Sequence, residues 1–467
     1  MQETDTLAYA QQKDREDELK GFRSRFYFPR TVTDGHGPAG PGGDGPGDQV
    51  LEPGGQAGQT GQTGQAGQVS GETIYFCGNS LGLQPRAAED YIRQELEDWR
   101  TLAIDGYWQA RTPWMTYPQT MRQTLGQLVG ALEEEVTVMN ALTVNLHLLL
   151  LTFYRPTGKR YKILVEAGAF PSDQYAVETQ VKWHGFDPSA AIVEVGPRAG
   201  ERLIREEDIL RLIDEHRGEL ALVLLGGLNY YTGQLFDMAG ITAAAHSAGA
   251  LAGFDLAHAV GNVPLQLHQW GVDFAIWCSY KYLNGGPGAA GGAFIHQRFV
   301  EDASLVRLGG WWGNDESSRF RMEKGFIPKP TAEGWSMSTA QVFNMVCLRA
   351  SLDLFAEAGF ERLRAKSREL TGYLYSLVGR LGGSGSSGPS NPSDMGPEIL
   401  TPVDPAWRGA QLSLFFGDRG KDIQQQLGKA GVVVDYREPG VVRVSPVPLY
   451  NSFEDVYRFY HILGELL

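Results

Sequence analysis

Short apolar runs alternate with amphipathic stretches through the middle of the chain. The apolar runs have the length of buried strands and lie at Lys162 to Val165, Ala191 to Val195, Leu220 to Leu225, Ala250 to Phe254 and Phe274 to Cys278. The stretches between them predict helices at Asp173 to His184, Glu206 to Ile213 and Ala239 to Ala248. Strands that alternate with helices at this spacing predict an α/β fold with a mostly parallel, doubly wound sheet.

The last quarter of the chain has a different pattern. Two long helical stretches, Gln341 to Gly359 and Glu361 to Leu381, precede short apolar runs. Strands are predicted near Gln411 to Phe416, Val432 to Asp435 and Val441 to Val444, with a closing helix from Glu454 to Leu466. This mixture predicts a smaller α+β domain. We therefore divide the chain into an N-terminal segment (1–100), a large domain (101–345) and a small C-terminal domain (346–467).

Two stretches have low-complexity compositions. Residues 35–72 consist mostly of Gly, Pro and Gln, and 382–397 mostly of Gly, Ser and Pro. Such compositions bury too little apolar surface to order themselves, so we expect a disordered insertion and a flexible connection. The charged segment 1–33 before them is expected to be helical and to pack on the main body.

Composition narrows the function classes. The 467 residues are 42% hydrophobic, enough for a sizeable core, and carry a net charge of −14, which argues against a nucleic-acid partner. The cysteines, Cys77, Cys278 and Cys347, form no metal-binding spacing, so we expect no structural metal and a reducing compartment. The sequence shows no signal peptide or apolar stretch of membrane-spanning length. We expect a soluble, cytoplasmic protein.

An acid and a lysine end two successive predicted strands. Asp255 follows the run ending at Phe254, and Lys281 follows the run ending at Cys278, with glycines directly after it. In an open α/β sheet, ligands bind outside the carboxyl ends of the strands. Pyridoxal phosphate needs a lysine to form a Schiff base and an acid to keep its pyridine nitrogen protonated. The pair therefore predicts a pyridoxal phosphate site, although each residue alone could be a turn cap or a surface charge.

Two helix starts could serve that cofactor. Thr143 opens an apolar helix, and free amides at a helix N-terminus can bind a phosphate; alternatively, Thr143 is only a cap. Phe170 could stack on a pyridine ring; alternatively, it is a hydrophobic staple beside a helix capped by Ser172 or Asp173.

Other residues are candidates for substrate contacts. Arg443 has apolar neighbours on a predicted strand, and a carboxylate is its natural partner, although a structural ion pair is the alternative. Asn79 and Ser80 could line a site or simply form a turn. Tyr107 belongs to an aromatic-rich loop that either contacts a flat substrate or packs in the core.

Seven blocks of the sequence resemble one family, the kynureninases, which are fold-type I pyridoxal phosphate enzymes of the class V aminotransferase group with an aspartate aminotransferase-like fold. The resemblance spans nearly the whole chain outside the two low-complexity stretches. Its blocks are FCGNSLGLQPR, ALTVNLHLLL, EAGAFPSDQYA, GFDLAHAVGNVPL, WCSYKYLNGGPG, GGWWG and VSPVPLYNSF.

The resemblance implies a role for individual residues. Lys281 would hold the cofactor, Asp255 would pair with its ring nitrogen, and Phe170 would stack on its ring. Arg443 would hold the substrate carboxylate, and Tyr280 is the candidate acid. Further cofactor contacts are implied at Leu142, Thr143, Pro171, Ser172, Asp173, Gly226, His258, Tyr280, Trp311 and Thr339, and further substrate contacts at Tyr107, Asn79 and Ser80.

The implied reaction is hydrolysis of L-kynurenine or 3-hydroxy-L-kynurenine to anthranilate or 3-hydroxyanthranilate plus L-alanine, in tryptophan catabolism and NAD biosynthesis. Enzymes of this fold typically act as homodimers. Tyr107, Thr339 and Gly226 depart from the vertebrate form, which has His, Asn and Ser there, so ring preference stays open. Another class V enzyme, such as a cysteine desulfurase, would need a mobile catalytic cysteine, and a non-catalytic regulator would not need Lys281, Asp255 and Arg443 together.

Overall fold

The computed structural model of the protein describes residues 4–32, 69–300, 302, 304–381 and 396–467. Its helices, numbered in chain order, are α1 Leu7–Glu16, α2 Ala88–Leu102, α3 Gly106–Gln109, α4 Arg122–Val129, α5 Leu142–Phe153, α6 Pro171–Trp183, α7 Pro188–Ala191, α8 Glu206–Glu215, α9 Met238–Ser247, α10 Leu267–Trp270, α11 Gln297–Val300, α12 Val342–Ala358, α13 Phe360–Leu381, α14 Gly420–Lys429 and α15 Phe453–Leu466. Its strands are β1 Arg30–Val32, β2 Val69–Glu72, β3 Ile74–Tyr75, β4 Val136–Val138, β5 Lys162–Glu166, β6 Ile192–Val195, β7 Leu220–Gly226, β8 Leu251–Asp255, β9 Phe274–Trp277, β10 Gly292–Ile295, β11 Glu398–Ile399, β12 Leu412–Phe415, β13 Val432–Val433, β14 Asp435–Arg437 and β15 Val441–Val444.

A seven-stranded sheet forms the centre of the fold, in the order β4-β10-β9-β8-β7-β5-β6. Strand β10 runs antiparallel to both its neighbours, whereas β5 to β9 are parallel. The sequence of β7, LALVLLG, is apolar on both faces because helices cover both sides of such a sheet. The predicted α/β class with a mostly parallel sheet is confirmed.

The C-terminal part contains a four-stranded antiparallel sheet, β11-β12-β15-β14. Helices α13 and α15 pack against each other, and their buried side chains join those of the sheet in one core cluster. Ser452 is the N-cap of helix α15, and its side chain accepts a hydrogen bond from the amide of Asp455. The predicted α+β character of this part is confirmed.

The N-terminal segment packs against this C-terminal sheet region. Helix α1 contacts α15, and β3 pairs in parallel with β13. The chain therefore crosses the molecule before it enters the central sheet. The three-part division at residues 100 and 345 stays a prediction.

Several local predictions need correction. Residues 69–72 form strand β2, paired with β1, so the predicted insertion is too long at its C-terminal end; its remainder and residues 382–395 lie outside the described residues. Strand β10 is missing from the prediction because its sequence, GAFI, is short and begins with glycine. Tyr107 lies on the short helix α3 rather than in a loop. The predicted strand Val432 to Asp435 is two strands that belong to different sheets.

Within the described residues, no helix is both long and apolar enough to cross a bilayer.

Candidate active site

Strands β8 and β9 are parallel neighbours, and each leads to a chemically active side chain at or just after its end. Asp255 is the last residue of β8 and pairs in register with Ile276 of β9, five residues before Lys281. The Nζ atom of Lys281 lies 2.9 Å from Nε2 of His258 and 5.8 Å from the centroid of the Phe170 ring. The predicted meeting of acid, histidine and lysine at one edge of the sheet is therefore present.

A cavity of about 570 Å³ opens at this edge. Its size suits a cofactor or a drug-sized molecule, and it is the kind of concave site where small ligands bind. Ten of the residues proposed from the sequence line it: Leu142, Thr143, Phe170, Ser172, Asp173, Gly226, Asp255, His258, Tyr280 and Lys281. Pro171 is the first residue of α6, between two of them.

Two carboxyl groups share the floor of the cavity. Burial raises the pKa of both Asp173 and Asp255, and in Asp173 the neighbouring Asp255 raises it further. One oxygen of Asp255 accepts a hydrogen bond from the amide of Ala257, at 2.7 Å. Two buried acids side by side are stabilised by a proton or by a cationic N–H group placed against them. A protonated pyridine nitrogen is such a group, so this pair fits the ring of pyridoxal phosphate.

The capping alternative for Ser172 and Asp173 is wrong. Helix α6 has Phe170 at its N-cap, and no side chain caps it. The Phe170 ring is 40% exposed and meets the edge of Tyr230, with ring centroids 5.3 Å apart. Its exposed face is therefore free to cover a planar ligand over Lys281 and the acid pair.

The first turn of α5 borders the opposite end of the cavity. Its N-cap is Ala141, which has no side chain able to satisfy the helix amides, and Leu142 and Thr143 follow. The alternative interpretation of Thr143 as the helix cap is therefore wrong. Burial raises the pKa of Tyr280 above its usual range, so its phenol stays protonated and can donate a hydrogen bond. Free amides and a phenol suit a phosphate group.

Glu166 is a cavity residue that the sequence reasoning did not select. It ends β5, is 4% exposed, and accepts hydrogen bonds from the amide of Gly226 at 2.6 Å and the side chain of Asn229 at 2.7 Å. A Cβ atom at Gly226 would lie 2.8 Å from Oε1 of Glu166, so a side chain there would require this carboxylate to shift. The signal was available, because Glu166 ends its strand just as Asp255 does.

Six proposed residues do not line the cavity. Tyr107 packs edge-on against Trp114, with centroids 5.5 Å apart, and Trp311 is 41% exposed on the surface. Thr339 borders a separate cleft beside Trp312 and Asn140. The remaining three, Asn79, Ser80 and Arg443, lie where the C-terminal sheet meets the segment after β3.

Arg443 forms a structural ion pair, the alternative considered for it from the sequence. It is 1% exposed and bonds to Asp435 through Nη2 at 2.8 Å and Nε at 3.1 Å. Nη2 also donates to Ser80 Oγ at 3.0 Å, and Nη1 donates to the carbonyl of Tyr230 at 2.8 Å. A guanidinium has five N–H groups, so these four contacts leave one on Nη1 without a partner among the described residues.

The cysteines do not provide a nucleophile at this site. Cys278 is buried, and burial raises the pKa of Cys77 to about 12 and also raises that of Cys347. None of the three lines the cavity. A desulfurase needs a reactive thiolate that can reach its substrate, and these thiols do not meet that need.

Comparison with known proteins agrees with this geometry. Residues 363–463 match the family model described as the kynureninase C-terminal domain. The chain is 48% identical to a kynureninase of Myxococcus xanthus, over 97% of this chain and 96% of that protein. It is 44% identical to a kynureninase of Nematostella vectensis, over 98% and 93% of the two chains.

Solved structures with little sequence identity share the fold. A cysteine desulfurase from Thermococcus onnurineus superposes with a TM-score of 0.66 at 18% identity, over 84% of this chain and 94% of that one. A C-DES variant with glycine covalently linked to its PLP cofactor gives a TM-score of 0.68 at 16% identity, over 84% and 96%. Because the close relatives are kynureninases over nearly their whole length, the chain belongs to the kynureninase family of pyridoxal phosphate-dependent hydrolases.

Proposed function

We propose that the cavity binds pyridoxal phosphate through Lys281 and that the chain hydrolyses L-kynurenine or 3-hydroxy-L-kynurenine to L-alanine and the matching anthranilate. The observation that carries this proposal is the placement of Lys281, Asp255 and Phe170 around one cavity. When bound, the cofactor supplies an electron sink for bonds broken at the α and β carbons of an amino acid. Membership of the kynureninase family supports the substrate class.

The side chains divide the work of holding the cofactor. Asp255 and Asp173 would supply negative charge to the ring nitrogen, and Phe170 would cover the ring. Leu142, Thr143 and Tyr280 would hold the phosphate. Pro171 starts α6, whose next residues Ser172 and Asp173 line the cavity together with Gly226.

The reacting protons are moved by two residues. Lys281 would take the α proton of the substrate, and neutral His258 lies within hydrogen-bond distance of its Nζ atom. Tyr280 keeps its phenolic proton because burial raises its pKa, so it can protonate the alanine fragment. Arg443 holds the substrate carboxylate through the N–H of Nη1 that has no partner, with Ser80 and Asn79 fixing that side of the site.

We further propose a homodimer in which a second copy of the chain completes each site. Trp311 and Thr339 lie away from the cavity of their own chain. Trp311 belongs to an exposed aromatic patch with Trp108 and Phe320. The ring centroid of Phe320 lies 5.5 Å from that of Trp311 and 6.2 Å from that of Trp108. Trp108 and Phe320 are each 53% exposed. An exposed patch of large aromatic side chains favours a protein interface, and Tyr107 borders it.

The cellular setting is also proposed. The three cysteines are free thiols, which supports the reducing environment of the cytoplasm. There the reaction would serve tryptophan catabolism and NAD biosynthesis.

An absorbance spectrum of the purified protein tests the function first. We expect a visible band from the lysine-bound cofactor and release of fluorescent anthranilate after addition of L-kynurenine. A coloured protein that leaves both kynurenines unchanged would contradict the proposed reaction, and a protein that binds no cofactor would contradict the role of Lys281.

A further inference from the structure

Glu166 links the part of the site proposed for the cofactor with the part proposed for the substrate carboxylate. Its Oε1 atom accepts a hydrogen bond from the amide of Gly226, and its Oε2 atom accepts one from the Asn229 side chain. Burial raises the pKa of Glu166 to about 7, and these two donors oppose that rise. Gly226 pairs in register with Asp255 across β7 and β8. One oxygen of Glu166 is therefore fixed to the strand that neighbours the cofactor acid.

The other oxygen controls a turn. Asn229 uses its side-chain oxygen to accept hydrogen bonds from the amides of Tyr231 at 3.0 Å and Thr232 at 2.9 Å, and from the Thr232 hydroxyl at 3.0 Å. Its side-chain nitrogen is then oriented toward Glu166. We call residues 229–233 the Asn229 turn, because one side chain fixes its backbone.

Tyr230 in this turn contacts both ligand-binding sides. Its ring lies nearly perpendicular to the Phe170 ring, with centroids 5.3 Å apart, and its carbonyl accepts hydrogen bonds from Arg443 at 2.8 Å and Gln411 at 3.0 Å. A shift of the Asn229 turn would therefore move the Phe170 ring and the free N–H of Arg443 together.

We infer that Glu166 is a positioning residue, which holds the Asn229 turn so that Phe170 is aligned with the cofactor and Arg443 with the substrate carboxylate. The inference deepens the proposed function and rests on it for the identity of the two ligands. The contacts that carry it are those of Glu166 with Gly226 and Asn229, and those of Tyr230 with Phe170 and Arg443.

Two variants separate this role from a general effect on folding. Glu166→Gln places an amide nitrogen against the amide nitrogen of Asn229, so one hydrogen bond is lost while size is kept. In the double variant Glu166→Gln/Asn229→Asp, the new amide donates to the new carboxylate, and the hydrogen bond returns with donor and acceptor exchanged. Glu215→Gln is the control, because Glu215 is exposed at the end of α8 and does not line the cavity.

The measurements are KM and kcat for L-kynurenine, the affinity of the apoprotein for pyridoxal phosphate by absorbance titration, and the urea midpoint. For Glu166→Gln we expect a rise in KM of about tenfold or more, with a smaller change in kcat and weaker cofactor binding. The double variant should return both affinities to within about threefold of the wild type, and Glu215→Gln should match the wild type.

Unchanged affinities in Glu166→Gln would overturn the inference, as would a double variant as impaired as the single one. If Glu166→Gln does not fold, a folded double variant with wild-type affinities supports the inference, whereas failure of both to fold overturns it. If the wild type binds the cofactor but does not release anthranilate, the proposed reaction fails on its own, and the cofactor titration still decides the role of Glu166.

Discussion

The Nζ atom of Lys281 lies 2.9 Å from Nε2 of His258, and Nδ1 of the same ring has no hydrogen-bond partner among the described residues. Burial lowers the pKa of His258 well below its usual range, and the charges of Lys281 and Arg443 lower it further. The imidazole is therefore neutral, accepts at Nε2 and carries its proton at Nδ1. The Nζ atom of Lys281 thus faces an uncharged hydrogen-bond acceptor.

Replacement of Lys281 should abolish covalent attachment of the cofactor. We expect Lys281→Ala to lower kcat by at least about 100-fold, because both the attachment and the proton transfer are lost. Borohydride reduction followed by peptide mapping should label the Lys281 peptide in the wild type and no peptide in the variant. Replacement of the exposed Lys421 by Ala is the control. A cofactor label that persists in Lys281→Ala would contradict the assignment.

The low pKa of His258 predicts a pH effect on the apoprotein. A histidine with a folded-state pKa below its unfolded value costs stability as pH falls below about 6.5, because the unfolded chain then binds more protons. We expect His258→Gln to lose less stability than the wild type between pH 7 and pH 5. Thermal unfolding of both apoproteins across this range measures it, and parallel curves would show that His258 titrates normally.

The acid pair predicts the opposite dependence. The pKa of Asp173 is raised by burial and by Asp255, so its contribution to apoprotein stability is greatest at low pH and is lost as pH rises through the folded-state pKa. Asp173→Asn should therefore stabilise the apoprotein at pH 8, because the amide has no charge to bury beside Asp255.

The gain from Asp173→Asn should be smaller at pH 5, and the variant should bind pyridoxal phosphate more weakly. Urea unfolding at both pH values and a cofactor titration check the two parts. A variant that is less stable than the wild type at pH 8 would show that the carboxylate is well accommodated without a ligand.

Arg443 and Arg437 provide a matched pair, because both bond to Asp435 but differ in exposure. Arg443 is 1% exposed, whereas the Arg437 side chain is 34% exposed and lies 3.1 Å from the same carboxylate. Arg443→Lys should raise KM for L-kynurenine by about tenfold or more, since lysine cannot reproduce the planar set of donors. Arg437→Lys should leave KM within about twofold of the wild type. Equal effects of the two variants would remove Arg443 from substrate binding.

Mixing two inactive variants tests the proposed dimer. A hybrid of Lys281→Ala and Trp311→Ala chains has one site with both an intact Lys281 and an intact Trp311. Random pairing should therefore restore about one quarter of wild-type activity, although each variant alone is impaired. Trp407→Ala is a control of similar exposure, 42% against 41%. No recovery on mixing, with dimers present by light scattering, would contradict a shared site.

The sequence predicted the parts of the site that depend on local order along the chain. Asp255 ends, and Lys281 closely follows, strands that were recognisable from their apolar runs, and parallel neighbours bring such ends together. The hydrogen bonds of Glu166 and the ion pair of Arg443 could not be predicted in this way. Glu166 bonds to residues at and beyond the end of the neighbouring strand β7, and Arg443 pairs in register with Asp435 across β15 and β14. Both depend on which strands are neighbours and in which register, and no local pattern encodes which donor a buried carboxylate meets.

Two other features were not predicted correctly from the sequence. Strand β10 has only four residues and begins with glycine, and α6 begins at a proline without the side-chain cap that its Ser and Asp suggested. In α6 the predicted capping by Asp173 fails because its carboxyl group lies against Asp255 instead of the helix amides. The functional contact competes with the capping contact for the same carboxylate.

Pairing of β1 with β2 places Val32 opposite Val69, so the two ends of the intervening stretch lie on adjacent strands. Neither strand belongs to the seven-stranded sheet that carries Asp255. This position is therefore suited to protein engineering. A short Asn-Gly link could replace residues 34–67, or a reporter domain could be inserted there, because the two attachment points are already adjacent.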